Sequence, residues 1–185
     1  MVSENKEIKH IIKLCKKDDP KAKKQLYEMF AGKMAAICYR YLDNKEDVED
    51  ALTDGFISVF ENIGKYKEGN FKGWIYRIMV NSCLSLINKQ KRFVMRENNT
   101  FFDKEENVEI DNPERFSSQD IMNALQVLTP REKVVFNMAV IDGFSHDEIS
   151  QRLNLKKTSI KAMVYISKVK LRNYLINLEQ ERNSK

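Results

Sequence analysis

Apolar side chains recur at intervals of three and four residues along almost the whole of this 185-residue chain. Because an α-helix completes a turn about every 3.6 residues, this spacing places them on one face of a helix. The sequence holds only 6 Gly and 3 Pro, and no stretch alternates polar and apolar residues as a strand does. The pattern therefore predicts an all-α protein.

The helical spacing fails in one segment, residues 97–118, where acidic side chains such as Asp103, Glu106 and Asp111 dominate. A segment with few apolar and many like-charged residues cannot bury enough surface to fold, and it stays extended. We interpret it as an acidic flexible linker, with a plain solvated spacer as the simplest alternative. The chain is then two small helical domains, residues 1–96 and 119–178, followed by a polar tail, 179–185, that is expected to fray together with the residues from Asn173 onward.

Four helices are predicted in the first domain. The spacing places three of them over residues 4–17, 20–42 and 44–64. Pro20 suits the first position of a helix, and Asn44 suits the N-cap of the third. The outer face of that third helix is predicted to carry a row of carboxylates, Glu46, Asp47, Asp50 and Asp54. No His, nucleophile or Gly-rich loop accompanies them, so a docking surface for a basic partner is favoured and the protein is not expected to be an enzyme.

The fourth helix is predicted to begin at Phe71, after a loop at residues 65–70. Its inward face is expected to hold Ile75, Ile78, Met79, Ser82 and Leu86. The opposite side places an aromatic ring, a cation and two amides close together: Trp74, Arg77, Asn81 and Asn88. Such groups stack on unpaired bases and bind base edges and phosphates, and residues 65–96 carry eight Lys or Arg against Glu68 alone. Ordinary packing of Trp74 is the alternative.

Four helices are also predicted in the second domain, the first two at about 121–128 and 131–141. In the latter, the side chains expected to face inward are Val134, Val135, Met138 and Ile141. Ser145 and Glu148 then form a capping box, and Asn154 tolerates the left-handed backbone of a tight turn. The last helix is expected to be capped by Thr158 or Ser159. A short helix, a tight turn and a second helix constitute a helix-turn-helix.

One face of this last helix is predicted to pack, through Ile160, Met163, Val164, Ser167 and Leu171. Beside it runs a basic stripe around one aromatic ring: Lys157, Lys161, Tyr165, Lys168 and Arg172. Residues 149–178 contain no Asp or Glu, so nothing within the segment neutralises the stripe. The stripe therefore predicts a surface that binds DNA phosphates, with a solvated basic helix as the alternative.

The composition excludes several other classes of protein. The N-terminus has no apolar run long enough for a signal peptide, and no 18 consecutive apolar residues occur, so a cytoplasmic location without membrane insertion is expected. Cys15, Cys38 and Cys83 lack the spacing of metal ligands and are predicted to be buried, reduced thiols. No metal and no cofactor is predicted. The net charge of +5 is modest, but its clustering favours a polyanionic partner.

Three segments together resemble a known family. Residues 48–60 (VEDALTDGFISVF), 69–92 (GNFKGWIYRIMVNSCLSLINKQKR) and 128–172 occur in the order and spacing of bacterial RNA polymerase sigma factors of the extracytoplasmic-function (ECF) type. The first is similar to the family's clamp-docking helix, the second to its promoter-melting helix, and the third to its C-terminal four-helix domain. The resemblance implies a transcription initiation factor that binds core RNA polymerase and promoter DNA, and it also implies an anti-sigma factor as partner.

The resemblance also implies roles for individual residues. Contact with the polymerase β′ clamp falls to the third helix, through Asp47, Asp50, Thr53 and Asp54. The minus-ten element is assigned to Tyr66, Asn70, Trp74, Arg77, Asn81 and Asn88, with the loop at 66–70 at the place where the family captures a flipped base. The C-terminal domain is assigned to the β flap and to the minus-thirty-five element, through Lys157, Thr158, Ser159, Lys161, Tyr165, Lys168 and Arg172.

The chain departs from the family pattern at three of these positions or near them. Thr53 stands where Gln is usual, and Met163 and Ile166 stand where basic residues are common, so Lys161, Tyr165 and Lys168 are expected to carry more of the promoter recognition. Two other functions remain open from the residues. One is a stand-alone helix-turn-helix regulator, and the other is a helical interaction protein with protein partners only.

Overall fold

The computed structural model describes residues 2–67, 69–89 and 115–184. Over these ranges the chain forms eight α-helices and no strand, and it divides into two compact units between residues 92 and 93. The prediction of an all-α protein with two helical parts is confirmed. Most of the predicted linker, residues 97–114, lies outside the described residues. Within the described ranges, no helix is long and apolar enough to cross a bilayer.

The first unit contains α1 (Val2–Cys15), α2 (Pro20–Tyr41), α3 (Lys45–Asn62) and α4 (Phe71–Lys89). Pro20 is the first residue of α2, as predicted, and the Asp19 carboxylate caps the helix by accepting the amides of Lys21 and Ala22 at 2.8 and 3.0 Å. Asn44 caps α3 by accepting the Asp47 amide at 2.7 Å. Local side-chain hydrogen bonds therefore set both helix starts.

The core of this unit lies where α2, α3 and α4 pack against one another, with α1 on α2. Leu26, Val59 and Ile75 are fully buried there. The buried face of α4 is wider than predicted. Ile75 and Met79 are buried as expected, but Ile78, Ser82 and Leu86 are only half-buried, while the buried set also includes Phe71, Val80, Cys83, Leu84 and Ile87. Contact with two helices rather than one explains the wider arc.

The second unit contains α5 (Ser118–Leu125), α6 (Pro130–Phe136), α7 (His146–Leu153) and α8 (Lys157–Asn183). Three of its helices begin with complete capping boxes, formed by Ser117 with Asp120, Thr129 with Glu132, and Ser145 with Glu148. The prediction for Ser145 is confirmed. Each box satisfies amides that the first turn of a helix leaves unpaired. The boxes therefore stabilise the N-termini of these short helices of seven or eight residues.

A π-helical turn, Asn137–Ile141, comes directly after α6 and changes the orientation of its last residues. The Asp142 amide donates to the Asn137 carbonyl, five residues back, at 2.8 Å. A π turn adds one residue to the helical turn and so rotates the side chains that come after it. The inward prediction for Ile141 is therefore wrong, and this side chain is 42 % exposed.

Both ends of α8 differ from the prediction. Lys156 is the N-cap and makes no side-chain capping bond, so Thr158 and Ser159 lie within the first turn. The left-handed residue Asn154 and the buried Leu155 complete the turn, and α8 begins at Lys157, before the two residues predicted to cap it.

The C-terminal part of α8 does not fray. The helix continues to Asn183 because Leu175 packs into the core of the unit with Leu125 and Leu171. Two ion pairs reinforce this: Arg182 reaches Asp120 at 2.7 Å, and Arg115 reaches Glu179 at 3.0 Å. The prediction that the residues from Asn173 onward fray is wrong, because these partners lie about sixty residues away in the chain and leave no local signal.

Candidate nucleic-acid interface

An aromatic cluster lies at the start of α4. The ring centroid of Tyr66 is 5.1 Å from that of Phe71 and 5.2 Å from that of Trp74. Phe71 packs edge-on against Phe30 of α2 at 5.7 Å, which ties the cluster to the core. Trp74 is half-buried, so its ring both packs and keeps accessible surface. Aromatic rings in such pairs add stabilisation beyond their buried area, and an exposed ring edge or face can still stack on a base.

The loop before α4 is held by polar contacts on both sides. The Tyr66 hydroxyl donates to the Gly69 carbonyl at 2.8 Å. The Lys16 ammonium donates to the Tyr66 carbonyl at 2.7 Å and lies 5.9 Å from the centroid of the Tyr66 ring. Sequence reasoning missed Lys16, because nothing local links residue 16 to residue 66. The loop is therefore braced by the end of α1.

Asn70 also caps α4. Its Oδ1 atom accepts the Gly73 amide at 3.0 Å, and a Cβ atom at Gly73 would lie 3.0 Å from Asn70 Nδ2. Gly73 therefore leaves room for the Asn70 side chain to cap the helix. The predicted DNA-binding residue Asn70 thus has a structural role that its side-chain oxygen fulfils.

The remaining residues predicted for the minus-ten element lie further along α4. Arg77, Asn81 and Asn88 are all exposed. They share the outer side of α4 with Trp74, so a single helix brings together the aromatic ring, the cation and the amides. The geometry suits a single DNA strand that runs along α4 from the aromatic cluster.

The helix-turn-helix is formed by α7 and α8. Asn154 adopts the predicted left-handed conformation, with φ of 52°. The Ser150 hydroxyl donates to the Leu155 carbonyl at 2.6 Å across the turn. Ile149 and Ile160 are completely buried. These contacts set the angle at which α8 leaves the turn and presents its first residues.

The residues predicted to read the upstream element differ in exposure. Lys157, Thr158, Lys161 and Arg172 are exposed, whereas Ser159, Tyr165 and Lys168 are half-buried. On the packed side, Ile160, Ser167 and Leu171 are buried as predicted, but Met163 and Val164 are only half-buried. The first turns of α8 therefore offer the most accessible part of the basic stripe.

The basic stripe has a carboxylate neighbour that its own segment does not contain. Asp147 of α7 forms an ion pair with Lys157. The absence of acids within residues 149–178 suggested an unneutralised stripe, but the turn brings Asp147 close to its N-terminal end. A phosphate that binds Lys157 must compete with this carboxylate.

The acidic row on α3 is shorter than predicted. Asp47 is only 7 % exposed, and its Oδ2 atom accepts from the Asn44 side-chain amide at 2.8 Å. The prediction that Asp47 lies on the outer face is therefore wrong, because this carboxylate belongs to the cap of α3. Asp50, Thr53 and Asp54 are exposed as expected.

The three thiols lie in the first unit. Cys15, Cys38 and Cys83 are all buried and free, which confirms that prediction. Burial raises the pKa of the Cys15 thiol, and hydrogen bonding to Cys38 together with burial raises the pKa of the Cys83 thiol. Both groups are therefore neutral thiols at physiological pH.

Comparison with known proteins decides the family. The family model for Sigma-70 region 2 matches residues 26–93, and the model for Sigma-70 region 4 matches residues 118–171. The chain belongs to the sigma-70 family. Together the two matches cover α3, α4, most of α2 and the helices of the second unit as far as Leu171. Helix α1 and the C-terminal part of α8 lie outside both matches.

Relatives place this sigma factor in the ECF type. It is 26 % identical over 183 residues to the ECF RNA polymerase sigma factor SigW of Bacillus subtilis, covering 92 % of this chain and 98 % of that protein. It is 28 % identical over 162 residues to the ECF RNA polymerase sigma factor SigE of Mycolicibacterium smegmatis, covering 85 % of this chain but only 63 % of that longer protein. The resemblance inferred from the three sequence segments is confirmed.

Solved structures share the fold of this sigma factor. CnrH, solved in complex with the cytosolic domain of CnrY, matches with a TM-score of 0.50 and 17 % identity over 90 % of this chain and 96 % of that one. RpoE of Bartonella quintana, solved with the anti-sigma factor NepR, matches with a TM-score of 0.50 and 20 % identity over 82 % of this chain and 95 % of that one. These likenesses agree with the all-α class.

Proposed function

We propose that this protein is an alternative sigma factor that binds core RNA polymerase, directs it to promoters with two spaced elements, and nucleates promoter melting. The observation that carries the proposal is the presence of two sigma-type units in one chain, each with its own candidate DNA surface. We assign residues 1–96 to the clamp and the minus-ten element, 97–118 to the tether, and the residues from 119 onward to the minus-thirty-five element. The protein acts by binding, in the cytoplasm, rather than as an enzyme.

Melting is proposed to depend on the aromatic cluster and on α4. Extruding a base from the duplex costs a few kcal/mol, and stacking on an aromatic ring recovers about 1 to 3 kcal/mol per base. Tyr66 and Trp74 provide the rings, and the loop that holds Tyr66 is already braced in the free protein. Because little ordering remains to be done on binding, this arrangement favours capture of an unpaired base. Arg77, Asn81 and Asn88 then contact the strand along α4.

Recognition of the upstream element is proposed for the first turns of α8. The second helix of a helix-turn-helix enters the major groove with its N-terminal residues against the bases. Thr158 and Lys161 are the exposed side chains best placed for this role, and Lys157 binds a neighbouring phosphate after displacing Asp147. Tyr165, Lys168 and Arg172 contact the backbone further along, and Ser159 lies beside them in the first turn.

Contact with the polymerase is proposed for the exposed part of the acidic row. Asp50 and Asp54, with Thr53 between them, present carboxylates that can accept charge-assisted hydrogen bonds from a basic clamp helix. The second unit is assigned to the β flap. Since RpoE was solved with the anti-sigma factor NepR, we also propose an anti-sigma partner for this protein.

The test is in vitro transcription from genomic DNA fragments by core RNA polymerase, with and without the protein, with transcript starts mapped. We expect starts that require the protein and share two spaced upstream motifs. A stable complex with core enzyme that yields no new starts would contradict the initiation role.

A stand-alone helix-turn-helix regulator makes a different prediction. It would bind specific duplex DNA tightly without polymerase, as a mobility-shift titration of the isolated protein would reveal. We expect the isolated protein to bind such DNA weakly, and the same titration with holoenzyme to show promoter-specific complexes.

A further inference from the structure

One face of α1 carries lysines, and the turn after the helix adds another. At about 100° per residue, Lys6, Lys9 and Lys13 share an arc of roughly 60°, and Lys17 follows four residues later in the turn. All four are exposed, whereas the opposite face of the helix is buried through Ile8, Ile11, Ile12 and Cys15. The buried face fixes the rotation of α1, and the lysine face therefore points to solvent.

The neighbouring carboxylates do not neutralise this face. Glu7 lies outside the lysine arc, Asp18 pairs with Lys23, and Asp19 caps α2. Among the described residues, none of the four lysines forms an ion pair. By contrast, Lys24 and Lys45 on the next two helices have carboxylate partners four residues on, Glu28 and Glu49. The lysine face of α1 thus differs from these two paired lysines.

The lysine face leads to the aromatic cluster. Lys16, next to Lys17 at the end of α1, donates to the Tyr66 carbonyl at 2.7 Å. A DNA strand whose unpaired base stacks on Tyr66 or Trp74 therefore passes beside the end of α1. Lysine ammonium groups bind phosphates as point charges without a fixed geometry, which suits a flexible strand.

We propose that the lysine face of α1 is a second DNA-backbone surface, which binds the phosphates of promoter DNA next to the captured bases. The inference rests on the proposed function and deepens it. Helix α1 lies outside the residues that match Sigma-70 region 2, so the match assigns no role to it. The surface adds affinity and salt dependence but no base specificity, because phosphates are the same at every position.

The test uses full-length protein with Lys9, Lys13 and Lys17 changed to Gln, assembled with core polymerase on a promoter identified by transcript mapping. Each lost phosphate contact reduces the slope of log affinity against log salt by about 0.9 for duplex and 0.7 for single-stranded DNA. We expect the slope to fall by about 2 on a template opened in advance, where the contacted strand is single, or by nearly 3 if the lysines bind duplex.

A matched control removes the same charge elsewhere in the unit, by changing Lys24, Lys33 and Lys45 to Gln. All three are exposed and lie off α1. We expect the control to change the slope by less than one. An equal fall in both variants would mean only a general field effect and would overturn the proposal, as would an unchanged slope in the α1 variant.

An Arg variant tests whether charge alone matters, and transcription by the wild-type protein tests the proposed function separately. The triple Arg variant of the same α1 lysines keeps the charge, so it should keep the wild-type slope; a fall to the Gln value would contradict phosphate binding. If wild-type protein gives no promoter-dependent transcription, the proposed function itself fails. If wild type is active and only the slope prediction fails, the role of α1 alone is wrong.

Discussion

The guanidinium of Arg182 pairs with the carboxylate of Asp120 at 2.7 Å, although 62 residues separate them. Asp120 also completes the capping box at the start of α5, so one carboxylate holds both that helix and the far end of α8. The Ser117 hydroxyl and amide and the Arg182 guanidinium together hold the pKa of Asp120 below its usual range. The last turn of α8 is thus linked to the start of α5.

Replacing Arg182 by Ala should loosen only the contact between the end of α8 and the start of α5. We expect faster amide exchange in residues 180–183 with little change elsewhere, because Leu175 still anchors the helix. Leu175→Ala is the matched comparison and should lower the free energy of unfolding by about 3 kcal/mol through lost burial and a cavity. Hydrogen exchange and urea denaturation of the two variants check this. An equally large loss of stability in Arg182→Ala would contradict it.

The Glu132 carboxylate should stabilise the fold at neutral pH but not in acid. Burial alone raises the pKa of this carboxyl, but hydrogen bonds from Lys170 at 2.8 and 2.9 Å and from the Thr129 amide outweigh it and leave the pKa below its ordinary value. A depressed pKa stabilises the fold above the unfolded value of about 4.3, and this contribution is lost as the pH falls through the folded value.

Glu132→Gln should therefore be less stable than wild type at pH 7, and the difference should shrink as the pH falls below about 4. Urea denaturation of both proteins from pH 7 to pH 3 measures it. A difference that is independent of pH would show that the charge of Glu132 does not matter.

Trp74→Ala should impair promoter opening more than closed-complex binding, because the ring is proposed to stack on a base only after strand separation. Permanganate reactivity of unpaired thymines measures opening, and mobility shifts at low temperature measure closed complexes. Trp74→Phe keeps an aromatic ring and should retain part of the activity. A template opened in advance should restore initiation by the Ala variant. Equal open-complex yields for wild type and Trp74→Ala would refute the role.

Lys161→Glu should weaken holoenzyme binding to promoters that depend on the upstream element, since it replaces an exposed cation of the first turns of α8 with an anion. Filter binding over a range of salt concentrations measures the loss. The same reversal at Lys24, on α2, serves as control and should have a smaller effect. Unchanged promoter affinity in the Lys161 variant would exclude this residue from recognition.

Asp147→Asn should act in the opposite direction. The change removes the carboxylate that pairs with Lys157 and leaves the Lys157 ammonium to a DNA phosphate. We expect tighter promoter binding at a similar salt slope, because Lys157 makes the same phosphate contact without first breaking its pair with Asp147. Asp142→Asn, before the turn, removes an equal charge and should raise the affinity less. An affinity unaffected by Asp147→Asn would show that Lys157 binds no phosphate.

Predictions from the sequence succeeded where the deciding contacts are local. Pro20, Asn44 and Ser145 begin or cap helices as expected, and Asn154 forms the turn, because each signal acts within four residues along the chain. The resemblance to sigma factors was also readable, since it rests on three ordered segments. The placement of Trp74 beside Tyr66 agrees with the expected site, although its DNA-binding role remains a prediction.

The sequence by itself determined the helical class, most helix starts and the family, because spacing and capping are properties of neighbouring residues. Only the tertiary structure decided the rest. It buried Asp47, exposed Ile141, extended α8 to Asn183 and brought Lys16 to Tyr66. Each of these outcomes depends on which helices pack together and at what rotation, and contacts between residues far apart in the chain leave no mark in the local pattern.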